Sequence, residues 1–70
     1  MARTYEVWTF GGLGGPKRYS DKPITSKKDA FAMAKRAGRM TTLRGVRGFH
    51  VLASDIYDPI LTVWRTSPEV

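Results

Sequence analysis

The sequence predicts an α+β fold: a small antiparallel or mixed sheet of three to four strands with one amphipathic helix packed on one face. Three observations carry this. Runs dense in β-branched and aromatic residues stand near the start, at 4–10, and twice near the end, at 49–53 and 60–65. Between them, Ala, Phe and Met recur at helical spacing. In 70 residues, one helix and so few strands make neither a two-layer sandwich nor a parallel sheet covered on both sides.

The first strand, Thr4-Tyr5-Glu6-Val7-Trp8-Thr9-Phe10, stops at Gly11-Gly12. Residues 11–16, with four glycines and Pro16, are expected to form a flexible loop, and Lys17-Arg18-Tyr19-Ser20 to return as a short second strand that closes a hairpin. Ser26 then caps a helix, and Asp29, three residues on, completes a capping box. The helix should run to about Ala37, with Gly38 in the left-handed position beyond its end, and Arg36 and Arg39 suited to the negative end of the dipole. At 100° per residue, Ala30, Phe31, Met33, Ala34 and Ala37 share the packing side. Lys28, Lys35, Arg36 and Arg39 fall within an arc of roughly 100° elsewhere.

Two further strands, Phe49–Ala53 and Ile60–Arg65, follow a linker at 44–48, and the turn 54–59 joins them because Asp and Pro favour turns and Pro59 would break a ladder. The tail 66–70 is expected to fray. Period-two alternation turns Phe49, Val51, Ala53, Leu61 and Val63 toward the helix, joined by Tyr5 and Val7. Trp8, Phe10, His50 and Trp64 then face away on an uncovered sheet face. The opposite register in the first strand would bury Trp8 and Phe10 instead.

Composition bounds the rest. A 70-residue chain is expected to be a single domain, with a core so small that a partner or a homodimer would help to hold it. Zero cysteines remove disulfides and thiolate metal sites, and a lone histidine leaves little for a structural zinc, so no metal or cofactor is expected. An apolar fraction of 41% is too high for a disordered tail. Neither a membrane span nor an apolar signal segment is apparent, which makes the cytoplasm the expected compartment.

Charge gives the functional expectation. Of twelve Lys and Arg, ten lie between Lys17 and Arg47 against only Asp21 and Asp29, while acids outnumber bases elsewhere. A regional positive field suits a polyanion, and the expected function is non-enzymatic nucleic-acid binding of low sequence specificity. Lys17, Arg18, Lys27, Lys28, Lys35, Arg36, Arg39, Arg44 and Arg47 are the candidate contacts. The competing reading is a merely solvated basic surface.

Single motifs add little. The glycine loop lacks the spacing of a phosphate-binding loop, since Lys17 precedes Arg18 and no helix opens for about nine residues. Lys27 and Lys28 oppose the dipole in the first helical turn, a placement that sometimes prepares an anion site. Arg44-Gly45-Val46-Arg47-Gly48 is slender and basic enough to follow a phosphate strand, and aromatic rings beside such charge are the ingredients of single-strand recognition. A second expectation is a protein-interaction module or homodimer built on Trp8, Phe10, His50 and Trp64, because exposed aromatic patches mark interfaces. Catalysis is not expected: His50 stands alone and the acids are scattered.

Overall fold

The computed structural model describes residues 3–12 and 14–68. Five elements follow one another: β1 (Tyr5–Gly11), β2 (Lys17–Arg18), α1 (Lys27–Met40), β3 (Val46–Ala53) and β4 (Leu61–Trp64). The sheet runs in the order β2-β1-β3-β4 with every neighbouring pair antiparallel, and α1 covers one face, which is the expected α+β arrangement.

Alternation decides which side chains the helix meets. Tyr5 and Val7 of β1 and Phe49, Val51 and Ala53 of β3 are buried against Ala30, Ala34 and Ala37, and Leu61 and Val63 flank them. The first-strand register is therefore the one that places Trp8 and Phe10 on the open face. Val7, Phe49 and Val51 are fully enclosed. Removing each such side chain from water contributes about 1.5–3 kcal/mol.

The short β2 is supplemented by a side chain. Val7 O accepts from both Tyr19 N (2.7 Å) and Ser20 N (3.2 Å), and the buried Ser20 Oγ accepts from Val7 N (3.2 Å). Ile24 then bridges to Tyr5 through Tyr5 N to Ile24 O (2.7 Å) and Ile24 N to Tyr5 O (2.9 Å). The outer edge of β1 is thus satisfied without a long partner strand. Gly11 closes β1, so the expected loop 11–16 starts one residue late, and Leu13 lies outside the described residues.

The helix starts where expected, with the Ser26 hydroxyl accepting from Asp29 N (3.3 Å), but the Asp29 carboxylate does not reach back to Ser26 N to complete a capping box, and the helix continues to Met40 instead of stopping near Ala37. Gly38 is not a left-handed cap. It sits inside the helix on the packed side, where an added Cβ would lie 3.0 Å from Val63 Cγ1 and 3.3 Å from Trp64 O. Close approach to β4 explains the glycine, and Thr41, extended, ends the helix with its N–H on Ala37 O (2.8 Å). Met33, expected inside, is 36% exposed, because the contact stripe follows the alanines and Met33 lies at its flank.

Two other boundaries move. β3 begins at Val46, three residues early, because Val46 pairs with Gly11 and Gly48 with Phe10, with the register shifting between Phe10 and Gly11. Arg47 is the extra residue of this bulge. The tail expected to fray is tied instead at Thr66 and Ser67, whose N–H groups both reach Gly38 O (2.8 and 3.1 Å). Glu69 and Val70 lie outside the described residues. β4 forms an edge of the sheet, with Pro59 before it and Pro68 after it. Among the described residues no helix is long and apolar enough to cross a membrane.

Candidate nucleic-acid interface

Burial of the alanine stripe fixes the rotation of α1, and with it the cations. Lys27, Lys28, Lys35, Arg36 and Arg39 are all exposed, and Lys35 and Arg39 border β4, where they line a cleft with Val63 and Trp64. Lys28, Lys35 and Arg39 lie nearly in line, spanning about 16 Å of helix axis, with Arg36 turned toward the hairpin. Lys27 stands apart at the first turn, its Nζ 5.4 Å from the Phe31 ring centroid.

Beside Arg36 the surface folds into two adjoining clefts. One, of about 420 Å³, opens between the glycine loop and the segment joining α1 to β3, and Lys17, Tyr19, Leu43 and Arg44 line it. The other, of about 440 Å³, lies along the helix, with Tyr19, Asp21, Met33, Arg36 and Met40 on its walls. Tyr19 belongs to both, and its ring, 41% exposed, stands edge-on to Phe49 with centroids 5.0 Å apart. Lys17 and Arg44 therefore share the first cleft with Tyr19, and Arg36 shares the second. The carboxylate of Asp21 shares the second cleft.

The walls are held by polar contacts. Thr9 Oγ1 accepts from Lys17 N (3.2 Å) and donates to Lys17 O (3.3 Å), which fixes the start of β2. Arg65, half-buried, donates from Nη1 to the carbonyls of Leu43 and Val46 and from Nη2 to those of Thr41 (3.3 Å) and Pro68 (3.1 Å). It thereby holds the segment carrying Arg44 against the helix end. Strand alternation near Trp64 did not announce this role.

The remaining basic residues are placed differently from the helix set. Arg18 lies on the uncovered sheet face, where its Nη1 meets Glu6 Oε2 at 3.2 Å. Arg47 packs at the bulge so close to Gly11 that a Cβ there would lie 2.7 Å from Arg47 Cγ. Arg3 pairs with Asp55 at 2.8 Å, a contact that raises the guanidinium pKa through hydrogen bonding to that carboxylate. The structure thus places Lys17, Arg18 and Arg44 in one cleft beside Tyr19 and Arg36 in the adjoining one, while Lys35 and Arg39 line a separate cleft with Val63 and Trp64 on the β4 side of the helix, and Lys27 stands apart.

The uncovered face carries the four aromatic residues singled out from the sequence. Phe10 stacks on His50, with centroids 4.3 Å apart and planes at 19°, and meets Trp64 edge-on at 5.1 Å. His50 Nδ1 shares a hydrogen bond with Thr62 Oγ1 (3.0 Å), and Trp8 Nε1 donates to Glu6 Oε1 (3.4 Å). Trp64 is 64% exposed, whereas Trp8, Phe10 and His50 are half-buried by one another and by their neighbours. Gly48 lies between Phe10 and Trp64 in the ladder, and the Phe10 ring covers it.

Tyr19 is the residue that sequence reasoning missed. Its position in Lys17-Arg18-Tyr19, an aromatic next to two cations, was the available signal, but only the fold brings Arg36 and Arg44 to the same ring. Among the described residues no group of three or more His, Asp or Glu converges on a point that would hold a metal ion. Protein-family models, curated proteins and solved structures offer no match to this chain.

Proposed function

We propose that the protein is a non-enzymatic nucleic-acid-binding protein of low sequence specificity. The observation that supports this most is the track of exposed cations that α1 carries, Lys28, Lys35 and Arg39, together with Arg36, Lys17 and Arg44 in the clefts beside Tyr19, where Asp21 is the acidic lining residue. Each phosphate neutralised along such a track releases condensed counterions, so affinity should fall steeply with salt. The test is binding of a labelled oligonucleotide between about 50 and 200 mM salt, by native protein and by a Lys35→Glu/Arg39→Glu variant. Strong binding that collapses with salt and is lost on charge reversal supports the reading. A flat salt response, or no binding at either concentration, removes it.

A second reading rests on Trp64, whose 64% exposure beside the Phe10–His50 stack suits a protein interface on the uncovered face. In that case Trp64→Ala abolishes a complex that Lys17→Glu/Arg36→Glu, on the Tyr19 side of the molecule, leaves intact. The reverse pattern rejects it.

A further inference from the structure

We infer that the cleft around Tyr19 takes an unpaired base of a single-stranded nucleic acid, stacked on the Tyr19 ring, while Lys17 and Arg44 in the first cleft and Arg36 in the second hold the flanking phosphates. This rests on the nucleic-acid reading above and narrows it to a strand state and a residue.

The lining of the clefts points to a base as well as to phosphate. A ligand of charge alone needs cations in water, yet the ring is bordered by the exposed apolar side chains of Leu43, Met33 and Met40. Apolar walls with a few charged groups at the rim describe a site for a flat heterocycle carrying an anionic backbone. The volumes, about 420 and 440 Å³, fall in the range that small organic ligands occupy. Tyr19 is also pre-positioned: Tyr19 N donates to Val7 O, and the ring abuts Phe49, so little freedom remains to be lost on stacking. Inside a duplex both faces of each base are already stacked, so apart from the two blunt ends this ring finds a free base face in a single strand.

The experiment compares Tyr19→Leu and Tyr19→Phe with the native protein, using fluorescence anisotropy on a labelled thymidine oligomer and on a blunt duplex of equal length, with thermal unfolding of each variant recorded alongside. Tyr19→Leu should weaken single-strand binding by about tenfold and leave duplex binding within twofold, while Tyr19→Phe retains both. If Tyr19→Leu leaves single-strand affinity unchanged, or weakens duplex binding equally, while binding remains salt-sensitive, base stacking is overturned and the polyanion surface survives. If neither nucleic acid binds, both fall. Should Tyr19→Leu not fold, the native protein is irradiated with the same oligomer carrying 5-iodouracil and the adduct is mapped. An adduct on Tyr19 supports the inference, and adducts confined to Trp8 or Trp64, or none, overturn it.

Discussion

Gly48→Ala tests how the uncovered face is built. A methyl group at this position would lie 2.6 and 2.7 Å from Phe10 Cε2 and Cζ and would also overlap the carbonyl oxygen of Val63. The ring can swing away, but the carbonyl belongs to β4, which pairs with β3 through Phe49 and Val63 beside it. Overpacking of this kind costs about 1–3 kcal/mol, and displacing Phe10 from its stack on His50 and its edge contact with Trp64 removes about 0.5–1.5 kcal/mol more. The expected loss is about 1.5–4.5 kcal/mol, against a total stability of about 3–10 kcal/mol for a chain of this length. At about 4–8 °C per kcal/mol, Tm should fall by at least about 6 °C. Thermal unfolding followed by circular dichroism measures it, and repeating the substitution in a Phe10→Ala background isolates the ring. There the loss should shrink by about 1 kcal/mol, leaving the clash with Val63. A Tm within about 3 °C of the native value would refute the steric argument. An equal loss in both backgrounds would refute the part assigned to Phe10.

Ser26→Ala should lower stability by about 1 kcal/mol, because the Asp29 amide loses its acceptor; urea unfolding with no change in midpoint contradicts this. Arg65→Met strands carbonyls on both sides of the guanidinium and should lose at least about 2 kcal/mol, with Arg65→Lys recovering only part, since an ammonium cannot span them; full recovery by lysine, read from the same urea midpoints, would disprove the forked role. Asp21→Asn removes a carboxylate from the Tyr19 clefts and should tighten oligonucleotide binding about two- to threefold near 50 mM salt, with the gain fading as salt screens it. Weaker binding by Asp21→Asn, measured by anisotropy, counts against placing the nucleic acid there.

Local patterns were enough for most of the scaffold. Alternation in Phe49–Ala53 and Ile60–Arg65 placed Phe49 and Val51 inside and Trp64 outside, whereas alternation in Tyr5–Phe10 left two registers open and pairing with β3 selected the one that buries Val7. Ser26 marked the helix start because a hydroxyl three residues before a free amide is a local event. The helix end was misread for a non-local reason: Gly38 answers to Val63 and Trp64, far along the chain, and not to its own backbone conformation. The early start of β3 likewise depends on pairing with Gly11 and on the bulge at Arg47, which no window of sequence around residue 46 contains. The candidate site was legible as charge and not as geometry. The helix cations could be read from periodicity, whereas the convergence of Lys17, Arg36 and Arg44 on Tyr19 needs the hairpin and the 41–45 segment to be folded beside the helix. The neutralisation of Arg18 by Glu6 follows from cross-strand register between β1 and β2 and was equally out of reach.

The bracketing of β4 by Pro59 and Pro68 limits how this molecule can aggregate. A sheet edge invites another chain to dock by continuing the backbone ladder, and each proline removes an amide hydrogen that such templated growth would use. Of the eight residues between them, the four of Leu61–Trp64 form strand. Crowded copies that meet through the exposed indole of Trp64 should therefore form closed, countable clusters, and end-to-end fibrils with a cross-β repeat should be disfavoured even at high concentration.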